Sequence, residues 1–292
     1  MRAIVGNAYA KINLLLNIVG KRPDGYHELD GVMAPISLYD TIRVEKSGRL
    51  SVVCGRCGLP EESNSAYKMA QIFFRETGIP GGAEIFIRKR IPKEAGLGGG
   101  SSDAAFVLRA LNTLYDAGLT PAGMNRIAAS LGADIPFFLQ EGAKRARGIG
   151  ELLDPVPWNL ETAILIVKPS GGVNTALAYK AFHGTAPEPA GVEACIRALK
   201  ENDVGLFSKN AKNMLQEASS ALLPDIGNAL AALHENGAAF ALMTGSGSAV
   251  YGLFKNMEMA EKAAAKIAGK GFEFVLPVSY TEKTVESLLE IY

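Results

Sequence analysis

Residues 96–102 read Gly-Leu-Gly-Gly-Gly-Ser-Ser, and this stretch limits what the chain can build more than any other. Four glycines in five positions give up more backbone entropy on ordering than a plain turn requires. Without side chains in the way, their N–H groups can converge on an anion. Upstream, Ala83 to Arg88 alternates as a strand does, with Ile85 and Ile87 on one side. Downstream, Ala104, Val107, Leu108, Leu111 and Leu114 recur at the period of a helix that starts at Ser101 or Ser102. Strand, glycine loop and helix N-terminus make a phosphate cradle, because the first helical N–H groups are unpaired and the dipole favours negative charge. The stretch is not a Walker A loop, which needs Gly-Lys-Ser/Thr, nor the Gly-x-Gly-x-x-Gly of dinucleotide folds. The competing reading is a flexible turn capped by serine.

A chain of 292 residues is long for one domain and comfortable for two. Pro155 and Pro157 break regular structure and place the boundary there, dividing 1–156 from 157–292. The first part reads as strands at Ala3–Val5, Ile12–Val19, Val32–Leu38, Thr41–Val44 and Leu50–Val53, with a turn at Lys21–Gly25. A helix with Ala66, Met69, Ala70 and Phe73 on one face follows Asn64, a good cap. Another is capped by Thr120, opens on Pro121 and ends before Gly132. The second part predicts a strand at 163–167, helices at 192–200, 210–218 and 226–235, strands at 240–243 and 250–254, a helix at 259–268 and a strand at 272–276. That order resembles a split βαβ arrangement with inserted helices.

Several polar residues interrupt apolar surroundings. Lys11 and Asn13 share one face of a strand otherwise fit for burial, which reads as a site or as the solvated face of an edge strand. Asp134 precedes Ile-Pro-Phe-Phe and suits the cap of a short helix. Thr244-Gly-Ser-Gly-Ser248 is either a hairpin turn or a second backbone surface that shapes the phosphate loop. Lys plus Arg equals Asp plus Glu at 30 each, so the bulk positive field of a general nucleic-acid binder is missing. No apolar run approaches the ~18 residues of a membrane span, and Lys11, Asn13 and Asn17 interrupt the N-terminal one, so a cytoplasmic location is expected. Three cysteines, an odd and low count, argue against a disulfide framework; Cys54 and Cys57 are expected to decorate a hairpin turn, the competing reading being a redox or metal role. His27, His183 and His234 show no ligand spacing.

Taken in chain order, Ala8–Leu14 with its Lys-Ile-Asn, Gly96–Ser102 and Met243–Ser248 resemble the three motifs of the GHMP kinases. Gly20–Leu29 and Leu131–Phe138 further resemble the branch of that family acting on a cytidyl diphosphate sugar alcohol. The resemblance runs from Ala8 to Phe254. It implies an α+β two-domain GHMP kinase fold: an N-terminal ribosomal-protein-S5-domain-2-like domain and a C-terminal ferredoxin-like (split βαβ) domain. It also implies transfer of the ATP γ-phosphoryl to the 2-hydroxyl of a methylerythritol unit, in the non-mevalonate route to isoprenoid precursors.

Residue by residue, Asp134 matches the family's catalytic base and Lys11 the lysine beside it. The ATP-binding segment matches Pro92, Lys93, Glu94, Ala95, Gly96, Leu97, Gly98, Gly99, Gly100, Ser101 and Ser102, with Asn64 and Lys68 near the nucleotide. Tyr26 and His27 fall at the cytidine end, Asn13 near the substrate, and Tyr179 where a second aromatic meets the cytosine, unless it is a core residue. Gly245, Ser246, Gly247 and Ser248 form the third motif. ATP brings Mg2+ with it, but no carboxylate cluster in the sequence names the metal's ligands. The expected partners are ATP and a small molecule, with neither nucleic acid nor membrane, for a monomer or weak homodimer. Tyr9 stands where the family usually has proline, and Glu94 and Ala95 where it has glycine or small residues; Glu94 is expected to face solvent. The rivals are a GHMP kinase for homoserine or mevalonate, and a non-catalytic ATP sensor, which would have no need of Lys11 and Asp134.

Overall fold

Apolar alternation at the start of the chain produces its longest strand pair. The computed structural model describes residues 3–55, 57–58, 60–184 and 190–291. In it β1 (Ala3–Lys21) and β2 (His27–Ser47) run antiparallel, joined by a turn in which Gly25 takes φ 88° and Asp24 accepts the Tyr26 N–H. Then come β3 (Ser51–Cys54), α1 (Ser65–Thr77), β4 (Gly82–Arg88), α2 (Gly99–Leu114), α3 (Pro121–Leu131), α4 (Ile135–Phe138), β5 (Lys144–Gly148) and β6 (Leu152–Pro155). Asn64 caps α1 by accepting the Ala66 N–H at 2.9 Å, and Thr120 caps α3 through the Gly123 N–H, both as their side chains predict.

The second half contributes β7 (Ala163–Pro169), α5 (Thr175–Ala181), α6 (Ala190–Glu201), α7 (Val204–Asn210), α8 (Gln216–Leu222), α9 (Asp225–Glu235), β8 (Phe240–Met243), β9 (Val250–Phe254), α10 (Met257–Ile267), β10 (Phe272–Val278) and β11 (Val285–Ile291). One sheet runs β11-β1-β2-β4-β3, with β5 and β6 continuing from β2; the other runs β10-β7-β9-β8, the strand order of a split βαβ unit.

β1 is the spine that joins these layers. Ile4 and Ala8 pack with α1 and α2, Ala10, Ile12, Leu14 and Leu15 with the second sheet's inner face, and Leu16 and Ile18 with the core under α9 and α10. Its register against β2 shifts after Tyr9, after Asn13 and after Ile18, and such bulges re-aim successive side chains from one core to the next.

Three expectations are corrected, and one strand pair is added that the sequence reading does not include. The single helix expected over 210–218 is two, α7 and α8, because Asn213 between them is buried and commits its side chain to backbone elsewhere. β5 and β6 escape a hydrophobic reading, since Lys144–Gly148 is mostly basic. A single boundary at Pro155–Pro157 describes the first crossing between sheets only: β11 returns and pairs antiparallel with β1, so 157–292 is not confined to the second sheet. Finally, Cys54 and Cys57 are joined in a disulfide, because the turn after β3 brings their Cα atoms to 5.4 Å. The cysteine left over is Cys195, buried in α6. Among the described residues no helix is long and apolar enough to cross a membrane.

Candidate active site

A cleft of about 1420 Å³ opens between the two sheets, and the glycine loop forms its floor. Gly96 and Gly98 both take φ 71°, a region that glycine enters without strain. Close approach demands them as well: a Cβ at Gly96 would overlap the Thr244 carbonyl, and one at Gly98 would strike the Phe138 ring and the Lys11 stem. Gly98 is the N-cap of α2, which begins at Gly99, two residues ahead of the serines. The first intrahelical bond is Ser102 N–H to Gly98 O. The N–H groups of Gly99, Gly100 and Ser101 are left without helical acceptors, and these residues line the cleft.

The loop at 244–248 is a clamp rather than a plain hairpin. Thr244 Oγ accepts the Asn13 N–H at 2.9 Å and donates to Gly96 O. Ser248 and Ala249 donate their N–H groups to the Glu94 and Ala95 carbonyls. Asn213 Nδ2 holds the Met243 and Gly245 carbonyls at 2.8 Å each, and Ser219 Oγ holds that of Ser246. The positive φ of this segment falls on Glu94 (49°) and spares Ala95. Glu94 is exposed, with its side chain against Gly172.

Lys11 lies under the glycine loop, tied there by its N–H to Leu97 O at 3.0 Å. Its side chain is 4% exposed, and Nζ stands 3.5 Å from Asp134 Oδ2 and hydrogen-bonds Asn13 Oδ1. Asp134 does not cap α4: its backbone is helical and its side chain makes no capping bond. Buried Phe137 and Phe138 fix the turn behind it, leaving a carboxylate that is 41% exposed to the cleft. A cation sits beside an open acceptor, above which a row of free N–H groups faces the same space.

At the far end, the His27 and Tyr179 rings stack directly, with centroids 5.1 Å apart, and Phe182 meets His27 edge-on. Burial and Lys21 push the imidazole below its ordinary pKa. Burial, helped by the charge of Asp134, pushes the Tyr179 hydroxyl up. Tyr26 is 61% exposed on the rim.

Comparison with known proteins agrees with this geometry. Residues 64–142 match the GHMP kinases N terminal domain and residues 195–273 the GHMP kinases C terminal model. A 4-diphosphocytidyl-2-C-methyl-D-erythritol kinase of Pelotomaculum thermopropionicum is 40% identical over 270 residues, 90% of this chain and 93% of its own. One from Desulfitobacterium hafniense is 44% identical over 88% of this chain and 89% of its own. This chain belongs to the 4-diphosphocytidyl-2-C-methyl-D-erythritol kinase family. A crystal structure of a 4-(cytidine 5'-diphospho)-2C-methyl-D-erythritol kinase superposes with TM-score 0.80 at 35% identity, over 94% of this chain and 98% of that one. A homoserine kinase from Cytophaga hutchinsonii reaches the same TM-score at 18% identity, which speaks for the fold alone.

For a diphosphocytidyl-methylerythritol kinase, the expected site residues gather well. Lys11, Asn13, Tyr26, His27, Asn64, Pro92 to Ser101, Asp134, Tyr179 and Gly245 to Gly247 all line the one cleft. Ser102 and Ser248 do not: Ser102 is buried within α2, and Ser248 turns its Oγ to Gly171 O. Lys68 is absent from the lining too. Tyr179 is half-buried, packed against the core under α9 while it also lines the cleft, and it and His27 form one patch rather than two jaws around a base. Tyr9 shows why proline is dispensable at its position: its N–H is bonded to Thr284 O and its hydroxyl to Glu286.

Sequence reasoning missed a buried triad. Lys89 Nζ lies 2.6 Å from Asp40 Oδ2 and 2.8 Å from Asp103 Oδ2. Asp40 Oδ1 accepts the N–H groups of Arg90 and Ile91, so it fixes the start of the phosphate loop. Burial pushes the Asp103 carboxyl up to about 7, against the pull of Lys89. The only sequence signal was an acid following Ser-Ser and a lysine within Arg-Lys-Arg, and neither spacing pairs them. Among the described residues no group of three potential metal ligands occurs. Of the cleft's carboxylates, Asp103 is paired with Lys89, Asp134 stands beside Lys11 and Glu94 is exposed, and among the described residues these do not gather, so the donor set does not fit a dedicated metal cage.

Proposed function

We propose that this chain transfers the γ-phosphoryl of ATP to the 2-hydroxyl of 4-diphosphocytidyl-2-C-methyl-D-erythritol, releasing ADP. The observation that carries the reading is the Lys11–Asp134 pair, held 3.5 Å apart beneath the glycine loop in the same cleft as the aromatic patch. Phosphoryl transfer asks for positioning and charge stabilisation more than covalent chemistry. Asp134 accepts the hydroxyl proton as the oxygen attacks, a role worth about 10²- to 10⁴-fold in rate. Lys11 orients that carboxylate from 3.5 Å away and offsets charge on the transferring group. The Gly99, Gly100 and Ser101 N–H groups hold the ATP phosphates at the positive end of α2. Asn64 borders the nucleotide, while Tyr26, His27 and Tyr179 receive the cytidine, whose base stacks against the patch. Mg2+ enters on ATP, held by phosphate and water as that ion often is.

The test is ADP release from Mg-ATP with the cytidyl compound, homoserine or mevalonate offered in turn. Turnover only with the cytidyl compound supports the assignment. Turnover with another alcohol discards the cytidine pocket but keeps the kinase, and nucleotide binding without any turnover leaves an ATP sensor.

A further inference from the structure

We propose that the Cys54–Cys57 disulfide is a thiol–disulfide exchange site that sets the affinity of the cleft for ATP; the inference rests on the nucleotide reading above. Cys57 is buried and lines the cleft, and Cys54 is only partly covered at the end of β3. Two residues of the candidate ATP site lean on the bridge. Lys93 Nζ donates to the Cys57 carbonyl, and Asn64 Nδ2 lies 3.5 Å from Cys57 Sγ while Asn64 Oδ1 caps α1. Both line the cleft as well.

The environment suits exchange. A sequence separation of three closes a small loop, so the cross-link removes little chain entropy compared with a long-range bridge. A thiolate leaving on Cys57 would form next to the Asn64 Nδ2 donor, 3.5 Å from Sγ, which stabilises the sulfur as it leaves. An external dithiol attacks the more accessible Cys54 Sγ. The S–S bond breaks with its electron pair on Cys57 Sγ, and the dithiol's second thiolate then releases Cys54. Two electrons and two protons pass to the protein, and the dithiol leaves as a cyclic disulfide. Reduction frees the turn that carries the Cys57 carbonyl. Lys93 then loses its anchor on the cleft rim and Asn64 its sulfur neighbour, so the reduced form binds ATP more weakly.

The experiment equilibrates the full chain in dithiol buffers of graded potential. It counts alkylated thiols by mass and measures the Kd of a non-hydrolysable ATP analogue at each potential. The expected result is two thiols appearing together and a Kd raised about two- to fivefold, the effect of one partly solvated charge. The double variant Cys54→Ser, Cys57→Ser should match the reduced Kd at every potential, while KM for the acceptor stays level. A bridge that shifts only Tm and leaves Kd unchanged overturns the proposal, as does a pair that no oxidant joins. Failure to bind the analogue in either form would overturn the nucleotide reading along with it.

Discussion

Replacing Asp134 by Asn separates chemistry from folding unusually well at this site. The carboxylate caps no helix and lies 41% exposed, so its loss should change stability by less than about 1 kcal/mol. Its partner Lys11 keeps the Asn13 Oδ1 as acceptor, so its ammonium is not stranded when the charge opposite it is removed. The glycine loop is held from the other side, by Thr244, Ala249 and Ser248, and none of these bonds involves Asp134. ATP affinity should therefore stay within about twofold while kcat drops about 10²- to 10⁴-fold, a barrier rise of ~2.7 to 5.5 kcal/mol. A coupled ADP assay with saturating acceptor reads kcat, and equilibrium binding of an ATP analogue reads the affinity. A variant that keeps kcat within threefold of the parent would remove Asp134 as the base. One that loses kcat and ATP binding together would show that the residue shapes the nucleotide floor instead.

His27→Ala should raise KM for the cytidyl acceptor more than KM for ATP, because the ring belongs to the aromatic patch and not to the loop; equal effects would misplace the cytidine. Asn213→Ala strips the Met243 and Gly245 carbonyls of a buried donor and should cost about 1–3 kcal/mol in urea unfolding, together with weaker ATP binding. Asp103 holds its proton to about 7 in the folded state against 3.8 for the free group, so its stabilisation is complete below 3.8 and is lost as pH rises toward 7. Asp103→Asn should flatten that decline in urea titrations across the interval, and an unchanged slope would assign the pH dependence elsewhere.

Local chemistry was the legible part. Caps at Asn64 and Thr120, the stop at Gly132 and the strands at 240–243 and 250–254 depend on a few neighbouring residues, and the structure has them where those residues put them. Lys11, Asp134 and the glycine loop, which line one cleft, were recognisable because several motifs fall together in chain order, each of them weak alone. Pairings over long distances in sequence were not legible. β11 joins β1 through backbone hydrogen bonds, which carry no side-chain signature. The Lys89 triad draws on positions 40, 89 and 103, where charged residues look like any surface charge until burial forces them together. Asp134 was misread as a cap by the residue-level argument, since a short acid before Ile-Pro fits that role until the fold turns it to Lys11.

The contact between Gly96 and Thr244 joins residues 148 positions apart, backbone against backbone, with no room for a single added carbon. A ribosome that has released only residues 1–156 has therefore made every glycine of the phosphate loop without making its mould. The fragment 1–156 should carry the whole motif and still hold nucleotide poorly. In the full chain, ATP should protect both sheets from unfolding as one cooperative unit, since the ligand rewards only the state in which the two loops have met.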